Sequence, residues 1–337
     1  MSDRMQALRA WLDRVVGARA DALEPASTDA SFRRYFRVRV GADSLIVMDA
    51  PPGKEDCRRY VHVASLLREA GVKVPEVLAA DLELGFLLLT DFGSTPYLAA
   101  LDENTVDRLY GEALDTLLLM QTRASAAGLP EYDDGRLLAE MALFPQWLLR
   151  AHLGLSLDSV QDAVLQGAFE LLCRSAAEQP RVFVHRDYHS RNLMVLNGGH
   201  PGILDFQDAV RGPLTYDLLS LLRDVYVCWP RERVRAWVCG YRERLIAAGT
   251  LDASHGDRFQ RWFDLMGVQR HLKIAGIFAR LYHRDGKPVY LRDIPLTLDY
   301  LGEECAPYPE LGPLADLVEA LAVRARVAAR NADIFGE

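Results

Sequence analysis

The sequence predicts an α+β fold in two lobes: a small β-rich lobe over residues 1–93, then a larger, mainly helical lobe over 94–337. Three observations predict it. Alternating apolar residues separated by turns dominate the first ninety or so positions. Apolar residues at helical spacing dominate the remainder. Within that helical part, three short apolar runs, VFVH, LMVL and GILDF, are too short for helices and are separated by polar loops.

The elements follow in order. Met5, Leu8, Leu12 and Val15 give residues 5–16 an amphipathic helical face. In FRRYFRVRV, Phe36, Val38 and Val40 alternate with Arg37 and Arg39; the turn GADS and the run SLIVMDA complete a β-hairpin. Residues 54–70 read as a helix with Tyr60, Val63, Ala64 and Leu67 on one side and Gly71 as its stop. PEVLAAD and GFLLLTDF are two further strands about the turn ELG. After Pro96, Leu109, Ala113, Leu117 and Met120 mark one helix, and residues 136–153 and 159–178 mark two more. From residue 213, helices resume nearly to the end.

Composition narrows the function classes. Half of the 337 residues are apolar and 26% are charged, the balance of a packed globular chain. A formal charge of −8 argues against a general nucleic-acid or membrane-surface partner, both of which require a basic face. The five cysteines are scattered and form no CxxC, which favours buried thiols in a reducing compartment over a disulfide framework or a zinc site. The opening segment MSDRMQALRAWLDRVVG carries charges through its apolar positions, unlike a signal peptide. No run approaches the roughly 18 apolar residues of a membrane span. A cytoplasmic, monomeric protein is the expectation.

The concentration of polarity at 185–192, HRDYHSRN, between the apolar runs RVFV and LMVL, is the chemical signal. Asn192 stands five residues after Asp187, and Asp205 ends the run GILD thirteen residues after Asn192. This is HRDxxxxN followed by an aspartate, the order used for phosphoryl transfer in protein kinases. The chemistry requires these residue types. Mg2+ prefers hard oxygen ligands, which the Asn192 amide and the Asp205 carboxylate supply. A separate carboxylate, Asp187, is needed to take the proton of the acceptor hydroxyl. A protein-kinase-like bilobal fold using ATP and Mg2+ is therefore expected. Read singly, Asp187 and Asn192 are turn residues, and His185 is a structural histidine bracing the loop. A zinc site of His185, Asp187 and His189 is the rival reading, but no further ligand cluster accompanies it.

Residues 91–93 also spell DFG, but they precede the HRD element. That position suits a hinge, where the backbone of Leu89, Thr90, Asp91 and Phe92 would face an adenine ring; the metal-binding aspartate is Asp205, in DFQ.

FVHRDYHSRN and GILDFQDAVRGPLTYDLLSLLRD resemble the aminoglycoside phosphotransferase and choline-kinase-like family, over nearly the whole chain. DASFRRYFRV, IVMDAPP and QRHLKIAGIFARLYHRDGK are similar to the anomeric amino-sugar kinases of bacterial cell-wall recycling, which phosphorylate N-acetylmuramate and N-acetylglucosamine at C1. The resemblance implies Asp187 as catalytic base, Asn192 and Asp205 as magnesium ligands, and Asp217 as a structural brace. It places DASFRRYF, with Ser31, Phe32, Arg33 and Arg34, over the nucleotide phosphates.

One departure stands out. The third strand of a kinase carries a lysine that pairs the phosphates and a helix glutamate. Here that position falls at about Met48, and the middle of CRRYVHVASLL lacks a glutamate. Arg33, Arg34, Arg37 or Lys54 could supply the charge, with Arg33 and Arg34 in the covering turn favoured. On the acceptor side, Arg186, His189 and Arg191 flank the base, and Arg223, Arg270, His271 and Lys273 follow. Gln207 and Asp208 join them as candidate substrate contacts. Basic residues there suit an acceptor bearing a carboxylate, such as the lactyl group of N-acetylmuramate. The alternatives are a kinase of another small hydroxyl compound (choline, homoserine, an aminoglycoside) and, given the absent lysine, a catalytically weak nucleotide-binding regulator.

Overall fold

The computed structural model describes residues 3–17, 23–27 and 32–336. Two compact units compose the chain, Met1–Ser125 with Arg191–Ala209, and Ala126–Ser190 with Val210–Glu337.

The first unit contains α1 (Asp3–Val16), β1 (Glu24–Ser27), β2 (Arg34–Val40), β3 (Asp43–Asp49), α2 (Cys57–Glu69), β4 (Val77–Asp81), β5 (Phe86–Thr90), α3 (Tyr97–Ala100) and α4 (Val106–Arg123). The strands form one antiparallel sheet in the order β1-β2-β3-β5-β4. The expected hairpin runs in register from Arg34↔Asp49 to Val40↔Asp43. Because strand side chains alternate between faces, Val38, Val47, Phe86 and Leu88 share one face, which α1 covers with Leu8, Trp11 and Leu12. Met48, Leu87 and Leu89 are buried on the other. Asp49, at the end of β3, has no solvent exposure and accepts from Arg4 Nε of α1 at 2.7 Å and from Arg34 Nε at 3.0 Å.

Two local readings change. The helix expected from residue 54 begins at Cys57, because the Lys54 and Glu55 amides turn back to the Pro51 carbonyl and Asp56 caps the helix by accepting from the Arg58 amide at 2.9 Å. The strand β1, EPAS, was not legible: Pro25 reads as a breaker, yet it is tolerated here because β1 is the edge of the sheet. Residues 191–209 add a short hairpin, Leu193–Met194 against Gly202–Ile203.

The second unit is built on α5 (Asp134–Met141), α6 (Ser159–Ala177), α7 (Tyr216–Leu222), α8 (Arg231–Ala247), α9 (Gly256–Asp285), α10 (Ile294–Cys305), α11 (Gly312–Ala320) and α12 (Val323–Phe335). Its strand Arg181–Val184 pairs antiparallel with Val210–Pro213, a partner that no alternating apolar run in the sequence marks. Helix α9 is the central element, packed against α5, α6, α7, α8 and α10. Most of its length is buried, which explains why its sequence shows little amphipathic contrast. The single helix expected over 136–153 is instead α5 followed by a π-helical segment, Phe144–His152. Pro145 at its start has no N–H for an α-helical bond to the preceding turn. At that break the backbone of Leu143 lies against Gly276 of α9, where a Cβ would come within 2.3 Å of the Leu143 carbonyl carbon. Among the described residues no helix is long and apolar enough to cross a membrane.

Gly276→Ala is expected to destabilise the fold by about 1–3 kcal/mol, since the added methyl meets backbone that cannot swing away. Better helix propensity returns only about 1 kcal/mol of that loss. Urea unfolding would show a lower midpoint with an unchanged slope; an unchanged or higher midpoint would mean that the Leu143 segment yields.

Candidate active site

The segment HRDYHS follows the strand Arg181–Val184 in the second unit. Arg186 has φ of 78°, a left-handed conformation that is costly for a residue carrying a Cβ. Its neighbours hold it there. Asp217, in the first turn of α7 and without solvent exposure, accepts from the His185 amide at 2.6 Å and the Arg186 amide at 3.0 Å. Burial pushes the Asp217 carboxyl up to about 7, against the lowering effect of those two donors. The Arg186 carbonyl accepts from Arg270 Nη1 of α9 at 2.8 Å. The Asp187 amide donates to His185 Nδ1 at 3.2 Å. Further on, the Ser190 amide donates at 3.0 Å to Asp224, which also accepts from the Ser190 hydroxyl and the Tyr226 amide. Two buried aspartates thus pin the loop at its two ends. Asp217 lies in the first turn of α7 and Asp224 two residues beyond its last, so the short helix and its exit carry both.

Asp187 opens into a cavity of about 180 Å³ in this unit, with His189, Tyr226, Arg270, Lys273 and Phe278 among its lining. The Asp187 side chain is 40% exposed, and Arg270 Nη2 lies 3.8 Å from its Oδ1. Desolvation raises the Asp187 carboxyl, but Lys273, Arg270, His189 and Arg186 outweigh it and hold the group well below the usual carboxylate range. The cations are themselves organised. The Tyr216 hydroxyl accepts from Arg270 Nη1 at 3.0 Å and from Lys273 Nζ at 2.9 Å. Glu140 pairs with Arg186 at 2.5 Å and with Lys273 at 3.2 Å, and accepts from the Tyr132 hydroxyl. The result is a carboxylate kept ionised beside sheltered cations.

Helical phase sorts the substrate candidates. On α9, Arg270, Lys273, Ile274, Ile277 and Phe278 share the cavity-lining face at three- and four-residue spacing. His271, one position on, points elsewhere: its Nδ1 is 2.8 Å from the fully buried Glu304. Of the residues singled out in the sequence, His189, Arg223 and Arg270 line the cavity together with Asp187. Arg186 pairs with Glu140, and Arg223 also pairs with Glu303 at 3.0 Å. Lys273, singled out with them, lines the cavity as well; Tyr226 and the apolar residues of α9 were missed, although counting positions from Arg270 would have found the latter.

In the first unit, the short hairpin brings two further candidates together. Leu193 pairs with Ile203, and the Leu204 amide donates to the Asn192 carbonyl at 2.9 Å, so Asn192 and Asp205 leave the same end of the hairpin. Asp205 has φ of 61°, and its Oδ1 accepts from Gln207 Nε2 at 2.6 Å. An amide oxygen and a carboxylate are hard ligands of the kind Mg2+ takes, few in number, its shell being completed by water and phosphate. Gly202 is required in this hairpin because the Phe92 ring lies where a Cβ would be, 2.4 Å away at Cδ2.

The remaining nucleotide candidates divide. Asp91 is clipped by Arg37 Nε at 2.6 Å, Ser44 Oγ at 2.5 Å and the Gly93 amide at 2.9 Å. Leu89 is buried in β5, and Thr90 Oγ1 accepts from the Glu76 amide at 2.9 Å. Phe32 is exposed, Arg34 joins Asp49, and Arg33 pairs with Glu55. Ser31 lies outside the described residues. Arg191 and Asp208, in the first unit, are exposed.

Residues 22–255 match the family model described as the phosphotransferase enzyme family, and the chain belongs to that family. It is 50% identical over 333 residues to a Pseudomonas aeruginosa protein named N-acetylmuramate/N-acetylglucosamine kinase, covering 95% of this chain and 98% of that one. A protein of the same name from Neisseria meningitidis serogroup B is 44% identical over 319 residues, covering 93% and 95%. Among solved structures, choline kinase LicA from Streptococcus pneumoniae superposes with a TM-score of 0.61 at 12% identity, covering 90% of this chain and 100% of that chain. The GDP complex of aminoglycoside 2'-phosphotransferase-IIIa gives 0.60 at 16% identity, covering 90% and 98%. The fold is therefore the protein-kinase-like fold that the motif order led us to expect.

Tyr216→Phe should cost about 1–3 kcal/mol, because two buried cationic donors lose their shared acceptor. Thermal unfolding reads this directly; an unaltered midpoint would show that Arg270 and Lys273 find other acceptors.

Proposed function

We propose that this chain is an ATP- and Mg2+-dependent kinase that phosphorylates the anomeric C1 hydroxyl of N-acetylmuramate, N-acetylglucosamine or both. One observation carries the reading: a carboxylate held ionised at the wall of a cavity, in a chain whose near-full-length relatives are named for these two sugars.

The roles follow from the chemistry of each group. The acceptor hydroxyl lies in the cavity, and the Asp187 carboxylate takes its proton as the new O–P bond forms and the bond to the departing ADP breaks. A carboxylate below its ordinary range is a weak base, so its main contribution is orientation, with the proton moving late, once the hydroxyl has become acidic. An anomeric hydroxyl suits such a base, being more acidic than an ordinary alcohol. Arg270 and Lys273 favour negative charge in the cavity, which suits the lactyl carboxylate of N-acetylmuramate, while Ile274, Ile277 and Phe278 offer it an apolar wall. Asn192 and Asp205 hold Mg2+, which when bound neutralises phosphate oxygens. A cytoplasmic location suits this reading, since ATP is at hand there and free cysteines stay reduced.

The reading is tested by sugar-dependent ADP release, comparing both free sugars with their C1-blocked methyl glycosides. Turnover on the free sugars alone is expected; equal turnover on the glycosides would move the phosphate to another hydroxyl, and none on any would remove amino sugars as acceptors. Asp187→Asn should lower kcat by about 10²–10⁴-fold and leave nucleotide affinity intact; normal turnover would exclude Asp187 as the base.

The pH profile gives a further expectation. Activity requires ionised Asp187, and its lowered carboxyl keeps it ionised well into the acid range, so the wild-type rate should show no acid limb above about pH 5. Lys273→Met removes the first of the lowering influences, so its acid limb should move to higher pH. Coincident profiles would show that Lys273 does not act on Asp187.

A further inference from the structure

In kinases the nucleotide phosphates are gripped by a strand lysine held by a helix glutamate. Here β3 carries a fully buried Met48 at that place. The structure distributes the four candidate replacements. Arg34 shares the buried Asp49 with Arg4. Arg37 donates to both oxygens of Asp91 and to the Gly93 carbonyl. Lys54 Nζ stands 4.1 Å over the Phe32 ring. Arg33 is the one set against the metal-site carboxylate: its Nη1 is 3.7 Å from Asp205 Oδ1, and its Nη2 donates to Glu55 Oε2 at 2.8 Å.

We propose that Arg33 and Glu55 together replace the missing lysine–glutamate pair, Arg33 gripping the phosphate oxygens of the nucleotide and Glu55 holding the guanidinium in position; this rests on the phosphotransferase reading above. The cation stands at the residue just before β2 and the carboxylate in the turn just before α2. The pair is sheltered, with side-chain exposures of 12% and 15%. Tyr60 of α2 packs against Phe206, the residue after Asp205, with ring centres 4.7 Å apart. A guanidinium suits the task, since its fork can keep Glu55 on one nitrogen and offer others to phosphate, whereas an ammonium is a point charge. Around Arg33 stand the carboxylates of Glu55, Asp205 and Asp208, so the cluster carries more negative than positive charge on its own. That excess is what a site for Mg2+ together with a phosphate-bound arginine requires.

The test is calorimetric titration of the whole chain with MgATP and, separately, with adenosine. Arg33→Met should weaken MgATP about 10- to 100-fold, the range of a lost charge-assisted hydrogen bond, and leave adenosine within about two-fold. Arg33→Lys should recover part of the loss, and Glu55→Gln should show a smaller loss of the same kind. Arg58→Gln, a surface arginine of α2 paired with Glu83, should change neither. Wild-type MgATP affinity in Arg33→Met overturns the assignment, as does an equal loss of MgATP and adenosine in both Arg33 variants. A wild-type chain that binds MgATP but phosphorylates neither sugar overturns the sugar reading and leaves the clamp standing; one that binds no MgATP overturns both.

Discussion

The loop at His185–Asp187 exists in its observed form because one buried carboxylate accepts two consecutive backbone amides. Asp217 takes the His185 and Arg186 N–H groups, and the Arg186 carbonyl on the other side of the residue is taken by Arg270. With its amide and carbonyl both fixed, Arg186 stays at positive φ, a conformation that a free chain would leave. The direction of Asp187 is set by that constraint. It also explains why a carboxyl pushed up to about 7 by burial is retained in the interior: two short backbone bonds offset the cost of burying it.

The same residues set the electrostatics. Arg270 pins the loop with one nitrogen and lies near Asp187 with another, so positioning this carboxylate and keeping it ionised are one arrangement. Lys273, one turn further along α9, is held by Tyr216 and Glu140, and Glu140 in turn holds Arg186. Each buried cation in the group has a carboxylate or hydroxyl partner, which is the condition for tolerating charge away from water. Removing any one of them changes the field at Asp187 and the packing of the loop together.

How much of this the sequence disclosed depends on the kind of partner each residue has. Local pattern sufficed for the hairpin of β2 and β3, because alternation over seven residues leaves one face apolar. Asp187, Asn192 and Asp205 could be named as candidates because their order and spacing match the kinase motif. Local pattern failed where a distant element decides: the strand Val210–Pro213 is made a strand by Arg181–Val184, and the break after α5 is set where the Leu143 backbone meets Gly276. QRHLK read as a basic block, yet on α9 it divides by phase, Arg270 and Lys273 to the cavity and His271 to Glu304. Asp224 went unnoticed for a similar reason, since its partner, Ser190, lies 34 residues earlier.

The two DF dipeptides make the general point. Asp91 and Asp205 are each followed by phenylalanine, and on letters alone DFG at 91–93 is the better kinase motif. Their surroundings differ. Asp91 receives Arg37 on both oxygens, Ser44 and the Gly93 amide, a set of donors that closes the end of β2 and β3 and lowers its carboxyl despite burial. Asp205 stands at positive φ beside Asn192, where the hairpin ends, with the amide of Gln207 as neighbour. A carboxylate already surrounded by donors is a structural clip, and a metal can join it only by displacing them. Asp205 instead faces the Gln207 amide and, at 3.7 Å, the Arg33 guanidinium, at the end of a hairpin it shares with Asn192, so the surroundings of an aspartate, more than its tripeptide, distinguish the two.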